Sequence, residues 1–424
     1  MQACLDRIGE VQPRLNPFCF VYLEEALKAA EAAEEAVMRG GELGPLHGVP
    51  IAIKDFTPTK GKTTTRGSVA FRNWVPDHDP VIVRRLGKAG GILVGKTTTP
   101  EFAFSSFTRS RLWGSTLNPW DETRSSGGSS GGSAVAVATG CVALAEGTDM
   151  GGSVRIPAAL CGIVGFKPTG HRVSIAGAFP LSTSLDSVGP LAATVACCAV
   201  LDAVLAGEPM IDLPPFPLAG LRMAVPQTMV LENVEPAVAR AFESALAVLG
   251  KTGARIVDIP LRELAELSQI NAKGGFAAPE AYAIHRSLIR KGEKMYDPRV
   301  LARILRGQEQ DAADYIDLVN ARADFIRRVA AVTAPYDALV MPTVPVTAPA
   351  LADLAADDAY RHTNFLVLRN PSVANFLDRC SVSIPCHQAG DPPVGLMLMG
   401  EHGADRRLLA IAAAIEAVVS PTLE

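Results

Sequence analysis

The segment TRSSGGSSGGSAVAVATGCVALAEGTDMGGSVRIPAALCGIVGFKPT, residues 123–169, contains two turns rich in glycine and serine. The turns cover residues 127–133 and 151–153; they flank a short apolar segment, and each runs into a further apolar segment. Glycine has no Cβ, so it adopts unusual backbone angles and lets another chain or a ligand approach closely. Such turns beside regular structure predict a functional site.

The composition is typical of a globular enzyme. Of 424 residues, 48% are hydrophobic and 20% charged, and a net charge of −4 does not favour binding to nucleic acid or to an anionic membrane. The eight cysteines and seven histidines show no metal-ligand spacing. We find no signal peptide and no apolar run of the roughly 18–20 residues that a membrane span needs, so we expect a cytoplasmic protein.

The order of predicted elements indicates an α/β fold. Residues 48–54 (GVPIAIK) and 91–95 (GILVG) predict strands, and residues 79–89 between them predict a helix with Asp79 as its N-cap and proline at the first position. A strand, a helix and a strand in that order predict a right-handed parallel crossover within one sheet.

The same alternation continues through the glycine-rich segment. Residues 133–139 and 153–160 predict helices, and residues 141–146 and 162–166 predict strands. From residue 261 to residue 334 the pattern is helical and charged.

Beyond the helical stretch, alternating βα units are expected to resume. Their strands are predicted at residues 338–341, 380–384 and 394–399. We therefore predict one α/β domain that carries a helical insertion.

Ser153 and Lys54 are the residues whose setting suggests catalysis. Ser153 follows the turn DMGG, whose successive backbone N–H groups can converge on one point as an oxyanion hole. Lys54 ends an apolar strand, and desolvation could move its pKa from about 10.4 towards 7 or 8, which requires roughly 3–5 kcal/mol. Taken alone, the turns also fit flexible or phosphate-binding loops, and Lys54 also fits a solvated strand end. The phosphate motif GxxxxGK[ST] is not met, because no lysine follows either turn.

Three blocks of the segment, GGSSGGS, GTDMGGSVRIPA and CGIVGFKPT, closely resemble the signature of the amidase signature family. Lys54, Ser129 and Ser153 stand at the spacing of that family's Ser-Ser-Lys triad. The segments GPLHGVPIAIKD, SLDSVGPLA and PPVGLMLMG also look like family landmarks and follow in the expected order.

The resemblance implies a role for each matching residue. Ser153 would be the acyl-forming nucleophile, Ser129 would relay its proton and would lie at a cis peptide bond, and Lys54, neutral at rest, would be the base. The oxyanion would be held by the backbone N–H groups of Met150, Gly151, Gly152 and Ser153. Residues expected to support the two turns are Ser130, Thr148, Asp149, Arg155 and the buried Asp186.

The resemblance also implies the fold and the environment of the site. The fold would be a central mixed β-sheet covered by helices on both faces, in a single domain spanning residues 1–424 with a variable, largely helical substrate side at about 207–334. We expect the pocket to be lined by residues 56–78, 101–113 and 179–184 and by part of the insertion. Aromatic residues in this set that suggest an apolar or aryl-bearing substrate are Phe102, Phe104, Phe107 and Trp113, although core packing explains each of them equally well.

The sequence departs from the family at residues 375–380 (NFLDRC), a region that commonly borders the substrate funnel. The resemblance also implies that the chain would begin inside the family's first helix. The expected activity is hydrolysis of a carboxamide-type C–N bond in an amide, aryl amide or carbamate, with water and without metal or organic cofactor.

Two alternatives stay open at this point. The first is the amidase subunit of a tRNA-dependent amidotransferase, which works with partner subunits. The second is a nucleotide- or phosphate-binding protein that uses the glycine turns. We expect a small-molecule substrate, no nucleic acid and no membrane partner, and the oligomeric state is open, a homodimer included.

Overall fold

A mixed eleven-stranded sheet runs through the computed structural model, which describes residues 1–210 and 212–420. The strands, in chain order, are β1 (Phe18–Val21), β2 (Pro50–Lys54), β3 (Ile92–Thr97), β4 (Arg109–Ser110), β5 (Gly114–Ser115), β6 (Leu144–Asp149), β7 (Val164–Lys167), β8 (Ser187–Ala192), β9 (Arg222–Pro226), β10 (Arg255–Ile259), β11 (Ala338–Pro342), β12 (Ser381–Pro385) and β13 (Gly395–Met399). Their order in the sheet is β1-β3-β2-β6-β8-β7-β12-β13-β11-β9-β10, and β4 and β5 form a separate hairpin.

The described residues also form fourteen α-helices, several of which pack directly on the sheet. They are α1 (Gln2–Leu15), α2 (Leu23–Met38), α3 (Val81–Lys88), α4 (Gly131–Ala138), α5 (Arg155–Cys161), α6 (Val195–Ala206), α7 (Pro236–Lys251), α8 (Leu267–Ile270), α9 (Ala277–Gly292), α10 (Pro298–Leu305), α11 (Ala312–Thr333), α12 (Asp357–Leu368), α13 (Pro371–Phe376) and α14 (Asp405–Val419). None of the helices described here is long and apolar enough to cross a membrane.

The two faces of the sheet bury different hydrophobic clusters because side chains alternate along each strand. In β2, Ile51 and Ile53 pack into the cluster formed with α3, α6, α7 and α14, whereas Ala52 packs into the cluster formed with α1, α2, α4 and α5. By the same alternation Lys54 shares the face of Ala52, the face on which α4 lies. The prediction of a mixed sheet with helices on both faces is confirmed.

The region from residue 261 to residue 334 is helical, as the charge and periodicity predict. Its helix α11 packs Phe325 and Val329 against Leu339 and Met341 of β11 in a third cluster. Helices α9 and α10 pack on each other and surround a fourth cluster, with Phe102 and Tyr296. This region therefore packs beside the second glycine turn, because Met150 borders the fourth cluster.

The sheet differs from the prediction after residue 338. Strands β12 and β13 pair antiparallel without a helix between them, and β13 also pairs antiparallel with β11, so the expected βα alternation is wrong there. The cause is the connection at residues 386–394, where a turn around Gly390, whose φ is 89°, reverses the chain.

Two strands of the eleven-stranded sheet were not predicted from the sequence, and one helix cap differs from the prediction. β8 lies between β6 and β7 although it reads SVGPLA, with the glycine and proline that strands usually lack, and β1 pairs with β3 at one edge of the sheet. Helix α3 has Pro80 rather than Asp79 at its N-cap; the Asp79 carboxylate accepts instead from the N–H of Lys60.

Candidate active site

The glycine turns and Lys54 meet because the strands before them run side by side. β2 ends at Lys54 and pairs in parallel with β6, which ends at Asp149, so both carboxyl ends lie at the same edge of the sheet. The first glycine turn leads into α4 and the second into α5, and the two helices pack against each other. The predicted parallel crossover from β2 through α3 to β3 is confirmed.

The Lys54 ammonium nitrogen lies against two hydroxyl groups in a fully buried position. Its Nζ donates to Ser129 Oγ at 2.6 Å and to Thr148 Oγ1 at 2.7 Å, and the side chain has no solvent exposure. Burial lowers the pKa of Lys54 to about 7 and outweighs the carboxylates of Glu146, Asp149 and Asp186, which act in the opposite direction. A lysine of this pKa can hold or release a proton near neutral pH.

Glu146 supports the strand position of Lys54. Its carboxylate accepts from the Lys54 backbone N–H at 3.0 Å and from Thr57 Oγ1 at 2.9 Å. Burial raises the pKa of Glu146 and outweighs the hydrogen bonds from Thr57 and Lys54 and the charges of Lys54 and Lys96, which act in the opposite direction. This residue was not singled out from the sequence; the signal for it is an acidic side chain in the middle of the buried strand LAEGTD.

The two glycine turns are hydrogen-bonded to each other. The N–H of Ser130 donates to the carbonyl of Ser153 at 3.1 Å, and its hydroxyl donates to the carbonyl of Thr148 at 3.3 Å. The peptide bond between Gly128 and Ser129 is cis. The contacts of Ser130 join the turn that carries Ser129 to the turn that carries Ser153.

Asp149 and Arg155 form a fully buried ion pair beneath the second turn. Arg155 contacts both carboxylate oxygens, with Nε at 3.1 Å and an Nη at 2.9 Å, and it also donates to the side chain of Asn375 at 2.7 Å. Burial opposes ionisation of Asp149, but Arg155 prevails and holds its pKa at about 2. The carboxylate accepts from Val154 N–H as well, so the pair fixes the backbone of the turn.

Gly152 differs from its expected oxyanion role. Its N–H donates to Asp149 Oδ1 at 2.8 Å and is therefore already bound to the buried carboxylate. The N–H groups of Met150, Gly151 and Ser153 have no protein acceptor within residues 1–210 and 212–420. Three of the four expected donors are therefore free to bind an oxygen of a ligand.

A cavity of about 390 Å³ opens onto Ser153, which is 8% exposed. Besides Met150, Gly151 and Ser153, the lining residues are 103–106, Leu185, Met229, Leu267, Ser268, Asn271, Gly274, Ala277, Ala278, Arg303, Arg306, Asn364, Phe365, Leu368, Arg369, Ser372, Asn375 and Phe376. The helical insertion and the start of the divergent segment at residues 375–380 border it, as expected. Residues 103–106, part of the expected segment 101–113, also line it, as do helices α12 and α13, which were not predicted.

The expected lining by residues 56–78 and 179–184 is wrong, because none of these residues borders the cavity; Phe56 and Phe71 pack on Phe179 instead. Phe102 is completely buried among Phe71, Phe179 and Tyr296. Phe107 stacks edge-on against Tyr360, and the Trp113 indole donates to Thr65 Oγ1. Of the four aromatic residues singled out, only Phe104 lines the cavity.

Comparisons with known proteins agree with this fold and geometry. A sequence model of the amidase family matches residues 1–409. The chain is 36% identical to a glutamyl-tRNA(Gln) amidotransferase subunit from Chloroflexus aurantiacus, over 97% of this chain and 91% of that protein. It is 35% identical to 2-amino-5-chloromuconic acid deaminase of Comamonas testosteroni, over 99% and 92%.

Among solved structures, a crystal structure of an amidase superposes with a TM-score of 0.89 and 33% identity, over 99% of this chain and 95% of that one. A family match that spans nearly the whole sequence, together with a shared fold at this level of identity, establishes the relationship. The chain belongs to the amidase signature family.

Proposed function

We propose that the protein is an amidohydrolase that cleaves a carboxamide-type C–N bond, in an amide, aryl amide or carbamate, through an acyl-enzyme on Ser153. The observation that supports this most directly is the 2.6 Å contact between Lys54 Nζ and Ser129 Oγ in a fully buried site, with the pKa of the lysine near 7. A hydroxyl nucleophile needs a base of this kind, and a buried lysine provides it.

In the proposed reaction Ser153 Oγ attacks the carbonyl carbon, and its proton passes through the Ser129 hydroxyl to neutral Lys54. The carbonyl oxygen becomes an oxyanion that accepts from the free N–H groups of Met150, Gly151 and Ser153. As the C–N bond breaks, the proton returns from Lys54 through Ser129 to the leaving nitrogen. Water then attacks the ester on Ser153 by the same proton route and releases the acid.

The decisive experiment is labelling with a fluorophosphonate, combined with ammonia or aniline release from amides, anilides, ureas and carbamates. Ser153→Ala should abolish labelling and lower kcat by at least about 1,000-fold. Ser372→Ala is the matched control, because Ser372 lines the same cavity but its hydroxyl donates to the Arg369 carbonyl. Undiminished hydrolysis by Ser153→Ala would refute the mechanism.

A second candidate, the amidase subunit of a tRNA-dependent amidotransferase, is favoured by the 36% identity to a glutamyl-tRNA(Gln) amidotransferase subunit. Such a protein would require partner subunits for its full reaction. Hydrolysis of anilides or carbamates by the purified chain, with no response to L-glutamine, would exclude it. Strong preference for L-glutamine would replace the first proposal.

The phosphate-binding alternative is disfavoured by the sequence of the turns. The motif GxxxxGK[ST] needs a lysine after the glycine turn, and no lysine follows either turn. Titration of the protein with ATP should return no heat. The single domain over residues 1–424, the cytoplasmic setting and the use of no cofactor stay predictions.

A further inference from the structure

The charges that line the Ser153 cavity are all positive. Three arginines, Arg303, Arg306 and Arg369, contribute to its wall, and in the part of the chain that the structure describes no aspartate, glutamate or lysine does. Much of the remaining wall is apolar, as at Leu267 and Phe376. Half-buried charges in such surroundings are stable only when an anion or strong acceptors compensate them.

Arg303 and Arg306 stand one helical turn apart, at the end of α10 and just after it. Arg303 donates one hydrogen bond to the carbonyl of Phe104 at 2.6 Å, and Arg306 donates one to the carbonyl of Ala272 at 2.9 Å. Neither lies within 4.0 Å of a carboxylate of the described residues, so their charges have no ion-pair partner there. Residues three apart on a helix face the same side, and both side chains line the same cavity.

Arg369 is different, because all three of its nitrogen atoms are engaged. Nε donates to Asn370 Oδ1, and the two Nη atoms donate to the carbonyls of Glu232 and Val230. It holds the segment around residue 230 against α12 and has little capacity left for a ligand. The unpaired positive charge of the cavity is therefore concentrated at the other two arginines.

We propose that the substrate carries a carboxylate in addition to the scissile amide or carbamate, and that Arg303 and Arg306 bind this carboxylate. The inference rests on the proposed function, because it is the reaction at Ser153 that gives the cavity a substrate. Guanidinium groups present paired N–H donors that match the two oxygens of a carboxylate. An uncharged substrate of the same shape would leave both arginines without a counter-ion.

The test compares acids with their uncharged counterparts of equal length. The pairs are succinamate with succinamide, glutaramate with glutaramide, adipamate with adipamide, and 4-carbamoylbenzoate with terephthalamide. For at least one pair we expect kcat/KM of the acid to exceed that of the diamide by about tenfold or more, and the preference to decrease with ionic strength. The corresponding dicarboxylate should slow fluorophosphonate labelling of Ser153, which reports binding without turnover.

The variants separate carboxylate recognition from a structural role. Arg306→Met should lower kcat/KM for the preferred acid by about 10- to 100-fold and for the diamide by less than about threefold. Arg303→Lys keeps the positive charge but loses the paired N–H donors. It should lower kcat/KM for the preferred acid by a smaller factor than Arg306→Met does. The matched control is Arg299→Met on the same helix, because Arg299 pairs with Asp357 and does not line the cavity.

Two different failures can be told apart. The carboxylate site would be overturned, and the amidase proposal left intact, if every diamide were hydrolysed as well as its acid or better and dicarboxylates gave no protection from labelling. The same conclusion would follow if Arg306→Met lowered kcat/KM equally for the acid and the diamide. Absence of both amide turnover and Ser153 labelling would overturn the proposed function itself.

Discussion

At the scale of single residues, the chemistry depends on the balance between burial and charge at Lys54. Three carboxylates favour the ammonium form, yet complete burial costs more, so the pKa falls to about 7. Below that pH the ammonium cannot accept the proton of Ser129, and above it the neutral amine can. The lowered pKa therefore converts a residue that is normally charged into a base for neutral pH.

This balance predicts the pH profile of the enzyme. kcat/KM should rise with pH through a midpoint near 7 and lose about tenfold for each unit below it. Lys54→Ala should lose most activity at every pH while its circular dichroism spectrum stays native. A profile that is flat between pH 6 and 8, or a Lys54→Ala variant with the original rate and profile, would contradict a lysine base.

At the scale of elements, the first glycine turn depends on close contact between α4 and the strands below it. A Cβ on Gly132 would lie 2.5 Å from the carbonyl oxygen of Pro17 and 2.5 Å from the amide nitrogen of Thr98. Both neighbours are backbone atoms, which cannot move as a side-chain tip can. Glycine at this position lets α4 approach β3 and so keeps Ser129 beside Lys54.

Substitution of that glycine should therefore affect both stability and activity. Gly132→Ala is expected to reduce the free energy of unfolding by about 2–3 kcal/mol, because the new methyl group must displace backbone. Gly9→Ala in α1 is the control, since nothing lies within 4 Å of the position that its Cβ would take. This substitution should raise the free energy of unfolding by about 0.5–1 kcal/mol, because alanine has the higher helix propensity. Equal effects of the two substitutions in urea denaturation would contradict the packing argument.

At the scale of the whole molecule, an ion cluster around Arg172 joins elements that are distant in the chain. Arg172 follows β7 and contacts Asp202 of α6 at 2.8 Å, Glu208 after α6 at 2.9 Å and Asp405 of α14 at 3.6 Å. Burial raises the pKa of Asp202 to about 7, although Arg172 opposes it. Removal of the arginine would leave the buried Asp202 carboxylate without its partner.

We expect Arg172→Met to lower the free energy of unfolding at pH 8 by about 3 kcal/mol, the usual cost of breaking a buried pair on one side. The loss should shrink as the pH falls from 8 towards 7 and then level off, because Asp202 without its arginine has a pKa above 7 and takes up a proton in that range. Arg361→Met is the control: its pair with Asp358 is 67% and 90% exposed and should contribute less than about 0.5 kcal/mol. A loss independent of pH would contradict the role of Asp202.

Much of the fold could be predicted from the sequence where the signal is local. The apolar run that ends at Lys54 and the small-residue segment at residues 133–139 both form the predicted elements. β8 could not be predicted, because its glycine and proline are poor strand residues and only its position between β6 and β7 makes it a strand. The antiparallel pairing of β12 and β13 likewise depends on contacts between strands.

For the candidate site, the sequence by itself determined which groups we propose to react, because Lys54, Ser129 and Ser153 lie in or next to motifs whose spacing is visible along the chain. Only the tertiary structure decided that the Gly152 N–H is occupied by Asp149 and which side chains line the cavity. The cavity wall contains residues from helices between positions 267 and 376, which lie beside the second turn. Such contacts depend on how helices that are distant in the chain pack together. The arginines that we propose to select the substrate are the product of that packing.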